Sequence, residues 1–174
     1  ILMKTMYDFF ISCPLNFEEY LAKDIQDCSP YLLDESGRTG AESFLQPVAV
    51  AGGVELETTL IQGLQLNFFL KIANRVLLRL GHFKAYEFSV LESKFLQLKK
   101  IELIKDYNVS FQVSAEKSKL NNESRIKDCL EKLMPRLQKK KSMVNAPKMT
   151  IYVRVVEDHF TISIDTTGEH LHKR

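Results

Sequence analysis

Residues 149–165, MTIYVRVVEDHFTISID, alternate apolar and polar side chains with one interruption at Glu157-Asp158. A period of two puts successive side chains on opposite faces of a strand. Ile151, Val153 and Val155 therefore share one face, as do Phe160, Ile162 and Ile164, and the stretch predicts two strands joined at Glu157-Asp158. YNVSFQVSA supplies another strand, with Val109, Phe111 and Val113 on one side. Between them, Ile126, Leu130, Leu133 and Leu137 recur at helical spacing, with Asn121 or Asn122 placed to cap the helix. Pro135 inside that pattern predicts a kink or an end nearby. Upstream, Ser89-Val90-Leu91-Glu92 has the spacing of a capping box, opening a helix expected to bury Leu91, Phe95, Leu98, Ile101 and Leu103.

The first half is patterned differently. MYDFFIS (6–12) reads as a buried strand. Phe17, Tyr20, Leu21 and Ile25 then recur at helical spacing, with Asn16 available as N-cap. SPYLLDESGRTGAES is an irregular excursion, and Ser29 to Gln46 as a whole is longer than a plain strand connection requires. Gly52-Gly53 sits between two short strand signals and suits a tight hairpin. Thr59-Leu60-Ile61-Gln62 again has capping-box spacing, opening a helix to about Ala73 with Leu60, Leu64, Asn67, Phe68, Lys71 and Ile72 in its stripe. RVLLRLGHFKAYEF closes the half as a strand. The order is β-α-β-β-α-β, the connectivity of a ferredoxin-like sandwich, so the expected class is α+β with domains at 1–87 and 88–174.

Composition removes several alternatives. The chain has 174 residues, enough for one or two small domains with a real core, and no apolar run long enough for a membrane-spanning helix. Its opening lacks the layout of a signal peptide. Three cysteines, Cys13, Cys28 and Cys129, are widely spaced without a CxxC pair, which fits a reducing, cytoplasmic setting. Charge is uneven. Residues 1–87 hold 7 Lys/Arg and 11 Asp/Glu, 7 − 11 = −4, and the remainder holds 17 and 11, 17 − 11 = +6. The basic half is the candidate for a polyanionic partner.

No catalytic constellation stands out: GxGxxG, GxxxxGK[ST], GxSxG, HExxH and the aromatic-flanked Asn/Asp-Pro-Pro triplet are all missing. His170 and His172 would point the same way on an extended segment, yet no local Cys, Asp or further His completes a metal site. No catalytic or metal residue is assigned. The cations carry more. Lys117, Lys119, Arg125 and Lys127 gather where the long helix begins, interleaved with Ser118, Asn121, Asn122 and Ser124. Cations disfavour the positive end of a helix dipole, so their placement there points to an anion site, with Lys and Arg for phosphates and Ser and Asn for sugars or base edges. Arg136, Lys139, Lys140 and Lys141 at the far end suit ordinary C-terminal helix charge. Aromatics for base stacking are not evident beside the cluster.

The stretch from VSFQVSAEKSKLNNESRIKDCLEKLM through the strand pair to Asp165, Gly168, Leu171, His172, Lys173 and Arg174 resembles a THUMP domain, with its IKD helix start at Ile126-Lys127-Asp128 and its terminal D-x-x-G-x-x-L-H-K-R. Together with FFISCPLNFEEYLAKDI and GGVELE…ANRVLLRLGHF, the chain resembles the N-terminal half of bacterial THUMP-containing rRNA guanine-N2-methyltransferases of the large subunit. The resemblance implies a ferredoxin-like domain followed by a THUMP domain that binds structured rRNA. It further implies that a Rossmann-like methyltransferase domain using S-adenosylmethionine follows in cis, with the cofactor loop and catalytic motif in that absent part. It carries RNA contact onto Lys117, Lys119, Asn121, Asn122, Ser124, Arg125 and Lys127. On this reading the chain has no cofactor or catalysis of its own, and Lys173-Arg174 begin the connection to the missing domain. A protein-interaction adaptor, or a stand-alone RNA-binding protein, is the alternative.

Overall fold

The structure, a computed structural model, describes residues 4–39, 44–138 and 145–168. Among these it is an α+β fold with seven strands and four α-helices. The chain forms two compact units: Ile1–Arg79 together with the chain from Asp165 on, and Leu80–Ile164. The change-over lies inside a strand, whereas the sequence pattern places a boundary after Glu87.

In the first unit β1 (Met6–Ser12) lies between β3 (Gly53–Thr59) and β4 (Arg75–Lys84), antiparallel to both, and β2 (Val48–Val50) lies outside β3. With α1 (Glu18–Cys28) and α2 (Leu60–Phe69) this is the β-α-β-β-α-β order expected from the sequence. Phe9 and Ile11 pair with Leu56 and Val54 on one side and with Leu78 and Val76 on the other. All six are buried, together with Leu21, Ile25 and Leu66 from the helices. Burial of branched and aromatic side chains at alternate strand positions is the main favourable contribution to this unit.

Four local expectations change. Asn16 has φ of +71°, a left-handed turn residue, so Phe17 occupies the N-cap position of α1 without a side-chain cap. Phe17 and Tyr20 are 47% and 65% exposed, packing on each other at 6.0 Å, and the buried stripe is Leu21, Ala22, Ile25 and Cys28. The buried face of α2 is Gln62, Gly63 and Leu66, while Leu64 and Phe68 point outward, Phe68 at 81% exposure. Gly63 explains the rotation: a Cβ there would lie 2.0 Å from Cζ of Phe9, so only glycine lets the helix sit on that ring. Gln62 is buried because Thr58 and Thr59 donate to its side-chain oxygen at 2.9 and 3.3 Å. Thr59 caps α2 as expected, accepting from the Gln62 amide at 3.4 Å, but the helix stops at Phe69, before Ala73.

In the second unit the order is β4-β7-β6-β5, with β5 (Asn108–Glu116) parallel to β6 (Lys148–Val156) and β6 antiparallel to β7 (His159–Asp165). Glu157 and Asp158, both at positive φ, form the turn between β6 and β7. The expected apolar faces of β6 and β7 are buried, Ile151, Val153, Val155, Phe160, Ile162 and Ile164; on β5 Phe111 is buried and Val109 and Val113 are half-buried. The helix after β4, α3 (Phe88–Leu96), begins one residue before Ser89, with Glu87 as an uncapped N-cap, so the Ser89 capping box is not formed. Its stripe is Leu91 and Phe95. The chain then leaves helical geometry and returns as a 3-10 turn burying Ile101 and Ile104 in place of Leu103. In α4 (Glu123–Leu137) Pro135 lies in the final turn and the helix ends two residues on.

Beyond β7 the segment 165–168 belongs to the first unit. Arg75 donates to Asp165 and to the Gly168 carbonyl, each at 2.6 Å, and Thr167 accepts from the Val76 amide at 2.8 Å while donating to Asn67 at 2.7 Å.

Gly53 opens β3 where a Cβ would fall 2.2 Å from the Ile11 carbonyl oxygen. Gly53→Ala should therefore destabilise the first unit by about 1–3 kcal/mol in urea unfolding. Burial pushes the Cys28 and Cys129 thiols up to about 11, from 9.0, with carboxylates nearby adding to the effect. A raised acid pKa favours the neutral folded form, so this contribution is complete below about pH 9 and is lost toward pH 11. Thiol labelling at pH 8 should be far slower for the native chain than for the unfolded one.

Candidate nucleic-acid interface

The candidate interface lies in the second unit, where β5 ends and α4 begins. Lys117 leaves the strand at φ of +46°, which reverses the chain at once. Ser118 donates to the Glu116 carbonyl at 2.7 Å and accepts from the Asp158 amide at 3.0 Å. The Lys119 amide donates to the Asp158 carboxylate at 2.6 Å, and Leu120 is buried beneath the loop. The loop is thus fixed by the Ser118 hydroxyl, the Lys119 amide and one apolar anchor, leaving the Lys117 and Lys119 side chains in solvent. Neither has an ion-pair partner among the described residues.

Asn122 is the N-cap of α4, accepting from the Arg125 amide at 3.0 Å. Asn121, Ser124 and Arg125 are exposed beside it. Arg125 lies over the Phe88 ring, 4.8 Å from its centroid. Lys127 is exposed and sits 3.8 Å from Glu131 one turn on, a surface pair worth little.

The seven residues singled out by the sequence therefore come together, but the physics of the spot differs from a bare helix end. Asn122 already takes one free N–H. Glu123, in the first turn, turns its carboxylate to the Ala115 amide at 3.0 Å and satisfies the end of β5. A negative charge there complements the helix dipole and leaves less positive potential for an anion. Side-chain cations, not the helix terminus, are the donors on offer. Phe88 is the residue sequence reasoning missed: it is 37 positions from Arg125 and no local pattern joins them.

The second basic run, Lys139, Lys140 and Lys141, lies outside the described residues, as do His170, Leu171, His172, Lys173 and Arg174. No group of three His, Cys, Asp or Glu able to hold a metal, and no helix long and apolar enough to cross a membrane, occurs among the described residues.

Neither a family model nor a curated protein matches the chain. Solved structures do. A predicted N6-adenine-specific DNA methylase from Listeria monocytogenes superposes with TM-score 0.80 at 20% identity, over 97% of this chain and 42% of its own. SMU.472, a methyltransferase by assignment and complexed with SAH, gives 0.76 at 22% identity, over 98% and 44%. A 4-thiouridine synthetase in complex with RNA, with bound ATP, gives 0.51 at 14% identity, over 92% and 41%. At such identities the likeness establishes the fold. The chain spans less than half the length of each of these structures.

Asp158→Ala should release the loop: the Lys119 amide loses its acceptor, and its hydrogen exchange should speed up by more than tenfold while core amides of β6 stay protected. Asn122→Ala should cost about 1 kcal/mol of stability by loss of the cap.

Proposed function

We propose that the chain is the RNA-binding portion of an S-adenosylmethionine-dependent rRNA methyltransferase of the large-subunit guanine-N2 class, holding structured RNA for a catalytic domain in cis. The observation that carries this reading is a pre-set loop presenting Lys117 and Lys119 to solvent next to Arg125, with all three free of carboxylate partners among the described residues. Support comes from the fold, shared with methyltransferase-assigned structures more than twice this length, one holding SAH, and with an RNA-bound synthetase. The chain itself supplies phosphate and sugar contacts and no reacting group, and its site of action is the cytoplasm.

Binding to a structured RNA should weaken linearly with log salt, by about 0.7 to 0.9 log units per phosphate neutralised. Replacing Lys117, Lys119, Arg125 and Lys127 together by Ala should flatten that slope by roughly three to four contacts' worth and leave thermal unfolding nearly unchanged. Undetectable or salt-independent binding by the parent chain contradicts the reading. The adaptor alternative draws on the exposed apolar side chains of the first unit, among them Tyr20, Tyr31, Phe44 and Phe68. It predicts no RNA binding at any salt.

A further inference from the structure

We infer that Phe88 seats the Arg125 guanidinium so that its in-plane N–H groups take a backbone phosphate of the bound RNA as a two-pronged contact. The inference rests on the RNA-binding reading above and assigns within it a residue that reads geometry as well as charge.

The argument begins with what holds each cation. Among the described residues, two arginines lie over phenylalanine rings. Arg79 is 5.1 Å from the Phe10 centroid, and its Nη1 is also bonded to Glu55 at 2.7 Å, so a carboxylate already occupies part of its donor set. Arg125 is 4.8 Å from the Phe88 centroid and has no carboxylate partner among the described residues, so its donor edge stays open. A guanidinium laid on an aromatic face keeps its donors in the plane parallel to the ring, and that fork matches the two oxygens of a phosphate. Lysine offers a point charge with no such geometry.

Both partners are held independently of one another. Arg125 is in the first turn of α4, where its own amide is bonded to the Asn122 cap. Phe88 is the first residue of α3 and half-buried, while Leu91 and Phe95 of the same helix are fully buried. Just upstream, the buried Ala85 donates its amide to the Asp158 carbonyl at 3.1 Å. Phe88 is thus delivered by a fixed strand-to-helix connection. A long, flexible arginine side chain loses rotamer freedom on ordering, and a ring that orders it beforehand lowers that cost at binding.

A phosphate is favoured over a guanine edge because the exposed Lys117, Lys119 and Lys127 share with Arg125 the loop and the start of α4, and supply point charges suited to successive phosphates.

The test measures affinity of the whole chain for a structured RNA hairpin across a salt series, with Arg125→Ala, Arg125→Lys, Phe88→Leu and Phe88→Tyr, and checks the fold of each by thermal unfolding. Arg125→Ala should weaken binding by roughly tenfold or more and reduce the salt slope by about 0.7 to 0.9. Arg125→Lys should also weaken binding, yet keep the slope, since the charge remains. Phe88→Leu should weaken it by about two- to fivefold with an unchanged slope, and Phe88→Tyr, which keeps the ring, should recover most of that loss. Wild-type affinity in Phe88→Leu, or in Arg125→Lys, overturns the inference while the RNA-binding reading stands. Should Phe88→Leu fail to fold, Arg125→Lys and Phe88→Tyr decide it: a Tyr variant as weak as Arg125→Ala, or a Lys variant as tight as the parent, is contrary. A loss confined to hairpins with guanine at one position overturns the phosphate assignment. No binding by the parent chain sinks the underlying reading instead.

Discussion

Asp158 is the point on which the candidate interface depends. Its amide donates to Ser118, its carboxylate accepts from the Lys119 amide, and its carbonyl accepts from the Ala85 amide. One residue of the β6–β7 turn thereby sets the path of the β5–α4 loop and of the β4–α3 connection. The first carries Lys117 and Lys119, and the second leads to Phe88, on which Arg125 rests. The turn holds this position because Glu157 and Asp158 both adopt positive φ, a geometry whose twist matches the two strands it joins. The Glu157 amide adds a bond to the Glu116 carbonyl at 3.2 Å, fixing the turn to the end of β5 as well.

Much of this was legible in the sequence, for identifiable reasons. Strands with one buried face announce themselves by period two, and 149–165 fold as the pattern predicts, turn included. The cation cluster was legible because lysine and arginine at a helix start run against the dipole and so require another explanation. Helix faces were harder. The stripe of α2 departs from the apolar pattern because glycine and glutamine signal neither core nor surface: Gly63 is inside for the sake of the Phe9 ring, and Gln62 for the sake of two threonine hydroxyls. The Ser89 capping box failed because spacing alone does not fix where a helix begins. The Phe88–Arg125 stack, like the Glu123 contact with β5, joins residues whose adjacency exists only after folding.

The charge asymmetry takes on a definite form. The second unit carries the exposed Lys117, Lys119, Arg125 and Lys127, and several of its carboxylates are already engaged, Glu123 and Asp158 by backbone amides and Glu131 by Lys127. Net charge alone understates what such a surface offers a polyanion, because a carboxylate committed to an amide holds the scaffold in place while the neighbouring ammonium groups stay in water. The first unit is acidic overall and has several exposed aromatics.

The most direct measurement is residue-resolved: amide chemical shifts of the chain recorded as a structured RNA hairpin is added at low salt. The account predicts that perturbations centre on Lys117 to Lys127 and on the Phe88 region, and that they fade on raising the salt. Shifts confined to the exposed apolar residues of α1 and α2, or no shifts at all, would contradict it.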